Sequence, residues 1–248
     1  ATFIFFLFSV FKIILNYYFY IKYRNLLTFS FELVSKKQIL RLFKLSLGHI
    51  SDIYSNILKH SGVIFIAGIF LNPIMIGYIA TVKTLFYFLP ARFFGKINFA
   101  INYEFANLYG DKKINQIKKI LTKYIFIISI LITLFFFISL IGGPFVYNYW
   151  LDNKYELNFI FLILITLDVS IFIFRQSLVS FYAAINKNII FGLSDLFFTI
   201  LGLIFFFIIL YIMKNYIFAF SILLFFSIIS LIFTICVLLF NNKFKKIK

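Results

Sequence analysis

Asp52, Asn56, Lys59 and His60 fall near one another in an otherwise apolar segment, and Lys83, Asp168, Arg175 and Asp195 stand inside three others. An ionised side chain at the centre of a bilayer costs about 2.5–3.5 kcal/mol, so such groups turn towards a bundle interior, a partner or water. With His49, the first four fall within an arc of roughly 100° at 100° per residue, the pattern of an amphipathic helix. Facing lipid, that stripe would cost on the order of 10 kcal/mol. Asp168 and Arg175 share a face two turns apart, about 10 Å along the axis, so each needs a partner on another helix, or water. Within or bordering the apolar segments, Lys12, Lys59, Lys83, Arg92, Lys96 and Arg175 outnumber Asp52, Glu104, Asp168 and Asp195 by two. The chemistry expected is a hydrated, mildly cationic cavity that receives an anionic polar substrate. Arg92, Lys96 and Glu104 read instead as groups close to the membrane interface. Asp168, Arg175 and Asp195 fit cavity groups and interhelical ion pairs equally well.

The elements that must position these residues are long apolar helices. The 248 residues are 63% hydrophobic, 23% aromatic and only 13% charged, with a mean hydropathy of +1.04. Seven segments are each about long enough to cross a hydrocarbon core as a helix. They run roughly over Ala1–Ile21, Leu45–Phe70, Ile74–Phe94, Tyr124–Val146, Leu157–Ala184, Ile189–Met213 and Ile217–Phe240. The third is expected to continue as a helix towards Tyr109, with a bend at Pro90, and Gly142-Gly143-Pro144 to close the fourth. The fold class predicted is an all-α polytopic membrane protein with about seven transmembrane helices. The continuous apolar runs exclude a transmembrane barrel, whose strands alternate.

The net charge of +16 is placed as a topology signal and not as a nucleic-acid surface. Lys22, Arg24, Lys36, Lys37, Arg41 and Lys44 share one side with the basic run Lys112–Lys123, with Lys187 and with the tail lysines from Lys243. That side holds sixteen cations, against Lys154 and Lys214 on the other, which puts the C-terminus in the cytoplasm and Ala1 outside. The run Lys112–Lys123 fits a helix lying on anionic membrane lipid. Trp150, Tyr147 and Tyr149 fit an interfacial aromatic belt. Ala1 opens directly into an apolar stretch without a basic region before it, so it is not a signal peptide and reads as part of a longer chain.

Enzyme chemistry finds little footing. The chain contains no phosphate-binding loop, HExxH or GxSxG motif, and Cys236 is the only cysteine. His49 and His60 lie about 16 Å apart along one helix, too far to share a metal. No cofactor and no catalytic residue is expected.

Four stretches carry a further signal: KKQILRLFKLSLGHISDIYSN at Lys36–Asn56, FLNPIMIGYIATVKTLFYFLP at Phe70–Pro90, FANLYGDKKINQIKKILTKY at Phe105–Tyr124 and GGPFVYNYWLDNKY at Gly142–Tyr155. On these, from Glu32 onward, the chain resembles the C-terminal half of bacterial polysaccharide (O-antigen) flippases, within the multidrug/oligosaccharidyl-lipid/polysaccharide exporter superfamily. The resemblance implies two six-helix bundles around a central cavity, working by alternating access. Residues 1–21 would then be the last helix of an N-terminal bundle missing here, 22–44 a basic cytoplasmic linker, and 45–248 the C-terminal six-helix bundle. The substrate implied is an undecaprenyl-pyrophosphate-linked oligosaccharide, moved across the bacterial plasma membrane. Lys59, Lys83 and Arg175 would attract its pyrophosphate, with Asn56 and His60 beside them. Asp52, Asp168 and Asp195 would balance those cations or bind a coupling proton or cation.

Three other readings compete. One is a multidrug or lipid II exporter on the same architecture, of which a drug exporter would favour carboxylates over cations in its cavity. A non-transporting membrane half-protein would account for the abrupt start. A membrane enzyme acting on a lipid-linked sugar would have to use Asp152 or Glu156, the acids of the longest external loop.

Overall fold

A computed structural model describes residues 2–23, 35–151 and 156–240, and every regular element among them is helical. The helices are α1 (Thr2–Tyr23), α2 (Lys36–Ile57), α3 (Val63–Phe70), α4 (Pro73–Lys83), α5 (Leu89–Gly110), α6 (Ile114–Trp150), α7 (Phe159–Ala184), α8 (Ile189–Met213) and α9 (Tyr216–Phe240). Two π-helical turns, Leu58–Gly62 and Thr84–Phe88, splice α2 to α3 and α4 to α5. Among the described residues, six continuous helices, Lys36–Phe70, Pro73–Gly110 and α6 to α9, are long and apolar enough to cross a membrane. The chain is an all-α polytopic membrane protein. The centre of the basic linker (24–34), Asp152, Lys154 and the tail lysines fall outside the described residues.

The chain divides into two units, Ala1–Phe43 and Lys44–Lys248. In the first, α1 covers nearly all of the first predicted segment and exposes Phe11, Ile13, Ile14 and Tyr17. In the second, α7 packs against α5, α6 and α9, and α8 lies along α9.

Local chemistry sets the ends of these helices. Asn72 accepts a hydrogen bond from the Met75 amide at 2.8 Å, with Pro73 in the first helical turn, where a missing N–H costs nothing. Asn158 caps α7 through the Phe161 amide at 3.1 Å, and Asn215 holds the Phe218 amide at 3.2 Å. Lys112, Asn186 and Lys214 take left-handed conformations in the tight turns between helices.

The fourth predicted segment needs correction. Gly142-Gly143-Pro144 does not end the helix, which runs on to Trp150. Gly143 is buried where an added Cβ would stand 3.1 Å from the Phe86 ring and 3.2 Å from Leu162, so the site calls for a small residue in close packing and not for a stop. Pro144 is tolerated inside a helix held by its neighbours. The second span also starts at Lys36, nine residues before the expected Leu45. At Pro90 the irregularity is a π-turn one residue upstream of α5, which places the proline in the first turn of that helix.

The core is continuous from Val63 and Ile79 through Val82, Phe86, Ile128, Phe161 and Leu162 to Phe206, Leu210 and Phe220. A smaller cluster, Phe105, Leu108, Ile117 and Phe181, closes the end where α5 turns into α6. The outward faces stay apolar. Ile141, Phe145 and Tyr149 on α6 are more than three-quarters exposed, an arrangement that water penalises and lipid accepts.

Candidate functional site

The polar residues of the larger unit separate into a buried ionic network and an open groove. At the centre of the network is Asp195 of α8, 1% exposed. Its carboxylate receives the Lys59 ammonium at 2.9 Å, the Arg175 guanidinium at 3.2 Å, the Ser55 hydroxyl at 2.6 Å and the Ser230 hydroxyl at 3.1 Å. These donors come from α2 with its π-turn, from α7 and from α9, so one carboxylate ties three neighbours to α8. Arg175 is itself 2% exposed; it also reaches Asp52 at 3.9 Å and donates to the Phe191 carbonyl at 3.4 Å. Asn188 donates to Asp52 at 3.4 Å, and His49 lies 3.2 Å from Asn186, which extends the seam between α2 and the start of α8.

Lys83 is buried and donates to the backbone carbonyl of Lys59 at 2.6 Å, linking the end of α4 to the first π-turn. Its ammonium lies 5.3 Å from the Tyr87 ring centroid and 5.6 Å from that of Phe220, within cation–π range. Asp168 accepts from Ser227 of α9 at 2.6 Å. Lys59, Lys83, Asp168 and Asp195 border one cavity of about 20 Å³, room for a single water. Lys59, Lys83 and Arg175 are thus equalled in number by Asp52, Asp168 and Asp195, and the excess of two cations counted in the sequence is absent from this network. Arg92, Lys96 and Glu104 are exposed elsewhere on α5.

The groove lies on the other side of the π-turns and encloses about 340 Å³, the scale of a small-molecule site. Asn56 and His60 enter it from the α2 side, Arg92, Asn98 and Asn102 from α5, and Gln176 from α7. Phe88 sits between two of them, with the Arg92 guanidinium 4.1 Å from its ring centroid and the His60 ring edge-on at 4.5 Å. Asn98 accepts from Tyr124 and, at 3.3 Å, from Ser177, which leaves its amide nitrogen to donate elsewhere. In the amide orientation that satisfies its neighbours, Asn102 donates to the Ser180 carbonyl at 2.9 Å and keeps an oxygen to accept with. Nδ1 of His60 and the hydroxyl of Tyr87, both buried, have no partner on another described residue.

The stripe expected on one face of the second span is thus split. His49, Asp52 and Lys59 turn towards α7 and α8, while Asn56 and His60 line the groove. The widened turn at Leu58–Gly62 shifts the angular phase on which a 3.6-residue projection depends. The sequence reading passed over Ser55, Ser230 and Asn188, which complete the network, and Asn98, Asn102 and Gln176, which complete the groove. The signal available for Asn98 and Asn102 was an i,i+4 amide pair on one helical face. Among the described residues no group of three His, Cys, Asp or Glu side chains could hold a metal ion. Compared with protein-family models, curated proteins and solved structures, the chain matches none of them significantly.

Proposed function

We propose that this chain is part of an alternating-access transporter that moves an undecaprenyl-pyrophosphate-linked oligosaccharide across a bacterial plasma membrane for surface polysaccharide synthesis. It would act with a companion bundle on the far side of the substrate path. The observation that carries this reading is the groove. A bundle with a purely structural role has no use for amides held among membrane-crossing helices without protein partners, and each one costs desolvation when lipid covers it. Asn56 and Gln176 have no hydrogen bond to another described residue, so a polar ligand or water has to supply them.

Two further features support transport. Two of the three helices that line the groove, Lys36–Phe70 and Pro73–Gly110, are interrupted by π-turns at its edge, and such turns recur at functional sites. No carboxylate lines the groove among the described residues, the wrong chemistry for exporting cationic drugs. The C-terminus is assigned to the cytoplasm by the distribution of lysine and arginine.

The test is complementation. The full reading frame is expressed in bacteria lacking their own lipid-linked oligosaccharide exporter, and the carrier-linked sugar exposed on each face of the membrane is measured. Transport predicts that external oligosaccharide reappears. Continued accumulation on the cytoplasmic face, with the protein present in the membrane, overturns the reading.

A further inference from the structure

We infer that the groove is a recognition site for the uncharged sugar portion of the ligand, read by amide hydrogen bonds and not by charge. The inference rests on the transport reading for its choice of ligand and on the site geometry for its chemistry. The cations that a charge-reading site would use are committed elsewhere. Lys59 and Arg175 are held by Asp195, and Lys83 is spent on a backbone carbonyl. None of the three lines the groove.

The remaining lining matches hydroxyls. Each carboxamide offers both a donor and an acceptor, the same pair that a sugar hydroxyl offers in return. Asn56 and Gln176 are free to use both functions. Asn98 keeps its donor and Asn102 its acceptor. A site built to satisfy hydroxyls rejects ligands that lack them, because its own buried groups are then left unpaired. The exposed ring of Phe99 at the rim presents an apolar face to the C–H side of a pyranose. Arg92, the one groove residue with a permanent charge, is stacked on Phe88.

The experiment uses the full chain in nanodiscs of neutral lipid and ligand-observed saturation-transfer NMR, with maltotriose, mannotriose and chitotriose as probes. At least one trisaccharide is expected to bind, with an affinity that changes less than twofold between low and high salt. Inorganic pyrophosphate is expected not to displace it. Gln176→Leu and Asn56→Leu are each expected to weaken binding up to about tenfold, the worth of one or two lost hydrogen bonds. Neither residue bonds to another described residue, so thermal unfolding of both variants should match the parent, which separates lost recognition from lost folding. The inference is overturned if none of the three probes binds, if pyrophosphate or a tripeptide displaces the sugar, if binding collapses with salt, or if both variants bind like the parent. Its fate is separable from that of the transport reading. Export with no sugar binding in the groove leaves a transporter without this site, whereas groove binding without export leaves a sugar-binding membrane protein that does not transport.

Discussion

Asp195 shows how a costly residue becomes an organising one. A carboxylate so deeply buried survives only with its charge matched and its lone pairs filled, and here two cations and two hydroxyls do both. Removing one member differs from removing a pair. Asp195→Ala leaves Lys59 and Arg175 without their main counter-charge and should cost about 3–5 kcal/mol, the usual penalty for breaking a buried ion pair. Asp195→Leu combined with Arg175→Met removes charge of both signs and should cost clearly less. Thermal unfolding in detergent, followed by helical circular dichroism, ranks the two. A double variant less stable than the single one would mean that Arg175 has a role beyond pairing. The sequence made every one of these ionised groups visible as an anomaly in an apolar run. It left their pairing open because that depends on which helices are neighbours, which the chain order of Asp52, Arg175 and Asp195 does not specify.

At the scale of elements, helices α2 and α8 meet backbone to backbone. A Cβ built on Gly192 would fall on the carbonyl oxygen of Gly48, and one built on Gly48 would lie 2.6 Å from Asn188. Small residues at such crossings allow the close approach that packs membrane helices. Gly192→Leu should therefore push α2 off α8, lengthen the Lys59–Asp195 contact and lower stability by about 1–3 kcal/mol, as overpacking does. Gly95, which has open space around its Cβ position, is the control: Gly95→Ala should leave the unfolding temperature the same or slightly higher. The π-turns belong to this scale too. Lys83→Met keeps the length of the side chain but strips the donor from the Lys59 carbonyl, and an orphaned buried acceptor costs about 1–3 kcal/mol. Amide exchange across Leu58–Gly62 should then quicken about tenfold or more while the middle of α8 stays protected. Unchanged exchange would show that the turn holds without the lysine. The long helices were legible from apolar length alone, and α8 begins and ends where expected. The π-turns were not, because Leu58–Gly62 and Thr84–Phe88 contain nothing that a 3.6-residue periodicity registers. Lys59 and His60 both stand in the first of these turns, one facing the ionic network and the other the groove, whereas Asn56 parts from Asp52 within the regular helix before it.

For the molecule as a whole, the two ends of the larger unit differ in chemistry. One end gathers Tyr78, Tyr147, Phe161 and Tyr216 around the Asn158 amide, which donates to the Tyr78 hydroxyl at 3.0 Å. The other packs Phe105, Leu108, Ile117 and Phe181 beneath the turn that carries Asp111, Lys112 and Lys113. Contacts among helix starts and ends at each pole fix α5, α6, α7, α8 and α9 as alternating in direction, so the turns at 111–113 and 186–188 share one pole and Asn72, Asn158 and Asn215 the other. On the orientation proposed from the distribution of lysine and arginine, the lysine-bearing pole would face the cytoplasm. Cys236 is the only thiol in the chain and can be replaced by serine to give a silent background. In that background, Asp111→Cys should react with a membrane-impermeant maleimide only when the cytoplasmic face is opened, and Asn215→Cys should react in intact cells. The groove lies on the cytoplasmic half of the bundle under this assignment, since Asn98 and Asn102 follow Phe88 towards the Asp111 turn. If the proposed transport reading holds, a ligand entering from that pole would meet the groove first. Reversed labelling would place the same residues on the exit side, and the direction of transport would have to be reversed with them.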